Sequence, residues 1–100
     1  MNLGSDATQL RHWATSLDQL VSRDDVSYQT AVKLTKAAGE TRLAAVHLTR
    51  TPIAASEHLE LARTTLESIT RQDTSEWIFE LARNAAAVLM VNRRVLNNES

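Results

Sequence analysis

Apolar residues recur along this chain at steps of three and four, in four stretches separated by short polar punctuation. The first stretch puts Leu10, Trp13, Ala14, Leu17, Leu20 and Val21 on one side of a helix and Arg11, His12, Thr15, Asp18 and Gln19 on the other. Ser5 or Asp6 suits its N-cap, and Ser22 to Asp25 suits its end, so a helix over residues 6–22 is predicted. The second stretch carries two stripes. Ala31, Leu34, Ala38, Thr41, Ala45 and Leu48 follow a heptad spacing, while Tyr28, Val32, Thr35, Gly39, Leu43 and Val46 run elsewhere around the same cylinder. Together they predict one helix over residues 25–50, opened by Asp24-Asp25 and continuing through Gly39 in phase; the alternative is a C′ glycine that ends one helix before another starts at Glu40. Two apolar stripes imply two neighbours, and a mid-helix glycine (about 1 kcal/mol worse than Ala) implies a close backbone approach at Gly39.

Thr51-Pro52 marks the clearest boundary, because Thr is a good N-cap and Pro is favoured at the first helical position. The third helix is predicted over 52–71, burying Ala55, Leu59, Ala62, Leu66 and Ile69, with Glu67 and Arg71 paired at i,i+4. Asp73 to Glu76 resembles a capping box and starts a fourth helix over 74–96. Long helices with short connections pack antiparallel. The expectation is therefore an all-α single domain over 1–100, an antiparallel four-helix bundle, as a monomer or a dimer.

The fourth helix is apolar over more than half its circumference. Trp77, Ile78, Leu81, Ala85, Val88, Leu89, Val95 and Leu96 form the arc, widened by Phe79, Ala82, Ala86 and Met90. A bundle helix normally buries one stripe. The excess therefore calls for cover by another helix of the chain, a second copy or a different protein. Asn92 falls inside the arc, where an amide facing a symmetry mate would set register. The partner-binding set expected on these grounds is Ile78, Phe79, Met90, Val91 and Asn92, rimmed by Arg83 and Arg94. Leu61 stands alone on the side of helix 3 opposite its core stripe.

Composition narrows the chemistry. There is no cysteine, which excludes disulfides, thiolate metal sites and a Cys nucleophile. Two glycines cannot build a phosphate cradle, and no serine sits in a nucleophile elbow. No two of His12, His47 and His58 have helical metal-ligand spacing, although His47 and His58 can meet across the Thr51-Pro52 turn. Hence no catalytic residue, metal or cofactor is assigned. The net charge of −1 gives no general attraction to nucleic acid or anionic membrane. No apolar run approaches the length of a membrane span, and no signal peptide is visible, so a cytoplasmic location is expected. Abundant Ala and Arg in excess over Lys suit a bacterial or phage source.

The function expected is a non-enzymatic interaction module, a small adaptor, anti-activator or inhibitor that associates with itself or with another protein. Two competing readings are a nucleic-acid-binding regulator using Arg50, Arg93 and Arg94, and a small enzyme or ligand binder drawing on Arg11, Arg23, Lys33, Lys36 and Arg42.

Overall fold

The computed structural model describes the backbone of residues 3–23, 25–48 and 50–99 and the side chains of residues 7–23, 25–48 and 50–94. Four helices run in chain order: α1 Leu3–Val21, α2 Tyr28–His47, α3 Pro52–Glu67 and α4 Glu76–Glu99. Each packs against the next, forming an all-α antiparallel bundle 40 Å long and 19 × 18 Å across. The α1–α4 seam that closes the ring is much looser than the other three. None of the described helices is long and apolar enough to cross a membrane.

The helix boundaries follow local chemistry, with several departures from expectation. α1 already begins at Leu3, and the side chains of Ser5 and Asp6 lie outside the described residues. α2 is capped by Ser27, whose extended backbone lets its Oγ accept from the Thr30 amide at 3.2 Å. Asp24 lies outside the described residues, and Asp25 caps nothing: it pairs with Arg23 at 3.2 Å and accepts from Ser75 Oγ at 3.2 Å. Val26 is held extended by an isolated bridge to Thr74, which delays the start of α2.

α3 opens at Pro52 as expected, with the Thr51 carbonyl accepting from the Ala55 amide at 3.0 Å; the Thr51 side chain makes no capping bond. α3 stops at Glu67, because its last turn tightens and the Ser68 amide donates to both Thr64 and Thr65 carbonyls. Arg71 is therefore off the helix. Arg63 takes Glu67 at 2.7 Å, while Arg71 pairs with Glu76 at 2.8 Å. The capping box at α4 is also absent. Asp73 Oδ2 instead accepts from the Thr70 amide at 3.0 Å and the Thr70 hydroxyl at 2.9 Å, and the Ser75 carbonyl receives the Phe79 amide. α4 starts at Glu76 and reaches Glu99, past the expected 96.

The α1–α2 and α3–α4 connections lie at the same end of the bundle and are tied together. The buried Thr30 hydroxyl donates to the Asp73 carbonyl at 3.2 Å, and Lys33 Nζ donates to the Ser68 carbonyl at the negative end of α3. Backbone and hydroxyl hydrogen bonds from Thr70 hold the Asp73 carboxyl below its ordinary range. At Asp25, partial desolvation pushes the pKa up but is outweighed by the Arg23 hydrogen bond and its charge, leaving the group lowered.

The core matches the predicted stripes. Leu10, Ala14, Leu17 and Leu20 of α1 meet Leu34, Ala38, Thr41, Ala45 and Leu48, the first stripe of α2 and the residue just past its end. Ala55, Leu59, Ala62, Leu66 and Ile69 complete the α3 side. Gly39 passes through α2 without a break, but the expected close neighbour is not there. A Cβ built at Gly39 meets nothing within 4 Å, so nothing within the chain compensates for the glycine.

Candidate interaction surface

The surface anticipated on α4 is largely absorbed by the fold. Ile78 is fully enclosed and Phe79 is 6% exposed, so neither can present an apolar side chain to a partner. Phe79 is covered from within the chain. The Arg71 and Arg83 guanidiniums lie 4.8 and 5.1 Å from its ring centroid, and Ile69 borders the same hollow. Met90 is half-buried, and the half-buried Asn92 donates one N–H of its Nδ2 to the Val88 carbonyl of its own helix at 2.9 Å. Val91 at 56% exposure, Arg83 and Arg94 do face outward. The other large exposed apolar side chain on α4, Trp77, lies four turns away with Arg23 stacked over it at 4.5 Å. Val95 and Leu96 lie outside the described side chains.

Among the described residues, half of the exposed large apolar side chains lie on α2, with Ile53 and Leu61 on α3 and Trp77 and Val91 on α4. Tyr28, Val32, Leu43 and Val46 are 84%, 49%, 43% and 58% exposed, and exposed Thr35 and half-exposed Gly39 fill the gaps between them. These six residues are the second stripe seen in the sequence. The expectation that a neighbouring helix covers it is corrected: α1 and α3 pack on the opposite side of α2.

Geometry explains why. At about 100° per residue the second stripe lies about 160° from the centre of the buried face of α2. A helix at the corner of a four-helix bundle has its two neighbours about 90° apart, so a stripe that far round cannot face either of them. That angle was the available signal in the sequence. The stripe advances 18 residues in five steps, a mean of 3.6, and so runs straight along the helix for about 27 Å. Its N-terminal half opens into a shallow groove of about 530 Å³ that takes in Val21 of α1 along with Ala31, Val32 and Lys36.

Other clusters are accounted for by the fold. His47 and His58 do meet across the α2–α3 turn, with ring centroids 5.6 Å apart and planes at 11°, and His58 Nδ1 lies 2.5 Å from Glu40 Oε2. In-plane lone pairs on parallel rings do not converge on one ion, and no group of three or more metal-ligating side chains is present among the described residues. The cluster clamps α2 to α3. His12 is exposed, on a cleft of about 420 Å³ beside Trp13 and Leu81 along the loose α1–α4 seam.

Several basic residues are similarly committed. Arg42 pairs with Asp18, Arg93 lies 3.4 Å from Glu60, and Arg63 bonds both Glu60 and Glu67. The hydrogen bond from Arg63 lowers the Glu60 pKa against an opposing desolvation, with the Arg63 and Arg93 charges adding to the effect. Among the described residues no arginine is buried, and the interior is filled mainly by Leu, Ala and Ile, with Phe79, Thr30, Thr41 and Ser56. Arg50 and Arg94 are exposed. Comparison with protein-family models, curated proteins and solved structures finds no match to this chain.

Proposed function

We propose that this chain is a non-enzymatic interaction module that docks through the outward stripe of α2. The carrying observation is that four large apolar residues stand in line on the side of a helix facing away from its own core. Together they leave on the order of 400 Å² of side-chain surface in water, a size at which the largest apolar patch of a monomer is often functional. Covering that area is worth roughly 10 kcal/mol at about 25 cal/mol per Å². Association itself costs about 4–15 kcal/mol, so the contact fits a reversible partner better than a permanent one. The role is that of an adaptor or inhibitor acting by occupancy, with the exposed Lys36 beside the stripe to orient the partner. The nucleic-acid reading has less support, since Arg93 is engaged with Glu60 and the net charge is −1.

Photo-crosslinking tests the assignment. A photoreactive residue replacing Val32 or Val46 is expected to give discrete adducts in the native cell, and one replacing Val91 is expected to give none. Adducts from position 91 alone, or none from either stripe position, would contradict the docking role.

A further inference from the structure

We infer that the hollow between the α3–α4 connection and α4 binds a small carboxylate with an apolar body, held by the guanidiniums of Arg71 and Arg83. The inference is independent of the α2 stripe. The hollow has a volume of about 420 Å³, within the range of small-molecule sites. Thr70, Arg71 and Gln72 border it from the connection, Glu67 from the end of α3, and Phe79 and Arg83 from α4. Both guanidiniums lie against one ring, 4.8 and 5.1 Å from the Phe79 centroid, so their central carbons stand no more than about 10 Å apart, within reach of a single carboxylate. Stacking holds a guanidinium by its face and leaves the N–H donors along its edge free. Part of the Arg71 edge goes to Glu76 at 2.8 Å. Arg83 has the Phe79 ring beneath it and neither an acceptor nor an ion-pair partner among the described residues.

Charge selects the head group of the ligand. Glu76 answers Arg71, and Glu67, the carboxylate bordering the hollow, is held by Arg63 at 2.7 Å. Arg83 is the bordering cation left unanswered, so the hollow lacks a single negative charge. A carboxylate supplies that charge, whereas a phosphate dianion overshoots it. The guanidinium fork also matches the planar carboxylate, donating two parallel hydrogen bonds. The walls select the body. The methylene stems of Arg71 and Arg83 and the edge of Phe79, with Ile69 behind it, offer apolar surface to the rest of the molecule. The connection is also fixed before any ligand arrives. Lys33 holds the Ser68 carbonyl at 3.0 Å and Thr30 holds the Asp73 carbonyl at 3.2 Å, so little of the backbone between them has to be ordered on binding.

NMR titration of the backbone amide and arginine Nε–H signals at fixed ionic strength tests this. Phenylacetate is the probe. Acetate and 2-phenylethanol remove the apolar body and the charge in turn, and phenyl phosphate adds charge. Phenylacetate is expected to shift the signals of Thr70, Gln72 and Arg83 saturably, and to bind at least about ten-fold more tightly than acetate or 2-phenylethanol. Arg83→Gln, with folding confirmed by circular dichroism, is expected to weaken phenylacetate at least about ten-fold. Arg83→Lys keeps the charge without the fork and is expected to restore part of that loss. Shifts that rise without saturating, that are alike for phenylacetate, acetate and 2-phenylethanol, or that persist unchanged in Arg83→Gln overturn the site. Phenyl phosphate binding more tightly than phenylacetate overturns the match to a single charge.

Discussion

Replacing Gly39 with Ala is expected to stabilise the monomer. The residue sits mid-helix, twelve positions from Ser27 and eight from His47, with no positive φ to preserve. An added methyl group meets no heavy atom within 4 Å, so no clash offsets the gain. What remains is helix propensity, about 0.8–1.0 kcal/mol in favour of Ala, through a smaller loss of backbone entropy on folding. For a domain of this length that corresponds to a rise in Tm of about 4–8 °C. Thermal and urea unfolding at low micromolar concentration would read it, with the denaturant slope unchanged. A variant of equal or lower stability would refute the reasoning, because it would require a neighbour or a helix break that the structure lacks at Gly39.

Phe79→Ala should cost about 3–5 kcal/mol and leave much of the chain unfolded at 37 °C, since the ring is enclosed between Arg71, Arg83 and the core; a variant within 1 kcal/mol of wild type on urea unfolding would return Phe79 to the surface. Val91→Asp, in contrast, should change stability by no more than about 0.5 kcal/mol. Thr30→Val removes the donor to the Asp73 carbonyl, and is expected to cost about 1 kcal/mol and to speed amide exchange in the 68–75 connection; unchanged exchange there would show that the link does not restrain the connection. Asp25, Asp73 and Glu60 titrate below their reference values of 3.8, 3.8 and 4.5 in the folded chain. Depressed carboxyl pKa values stabilise the fold fully above those reference values, and the contribution is lost as pH falls through the lower folded values. Urea midpoints should therefore drop on acidification below about pH 4. Asp73→Asn should show a smaller drop, and a midpoint that rises toward pH 3 would contradict this.

Periodicity made the four helices and nearly all of the core legible in advance. Leu34, Thr41, Leu59 and Leu66 are buried as their spacing required, and Pro52 starts α3 as its chemistry required. The polar punctuation was less readable. Serine, threonine and aspartate at the α3–α4 connection offer several competing caps, and the choice of Asp73 for Thr70 depends on long-range bonds from Ser27 and Thr30 to the Asp73 carbonyl. The burial of most of the apolar arc of α4 was unreadable for a related reason. The width of an apolar arc on α4 does not reveal how many neighbours cover it, and an α3–α4 connection that drapes Ile69 and Arg71 beside Phe79 covers more than a short turn would. On α2 both stripes were visible, and only their angular separation, greater than that between two neighbours of a corner helix, distinguished the one left in water.

The most direct test of the α2 surface is a dilution series followed by amide chemical shifts across the whole chain, first alone and then with any partner captured by crosslinking. Shifts that move with concentration or titrant at Val32, Thr35, Lys36, Gly39, Leu43 and Val46, while those at Ala87, Val91 and Arg94 stay fixed, are the predicted result. Movement confined to the α4 positions, with the α2 stripe unchanged, would contradict it.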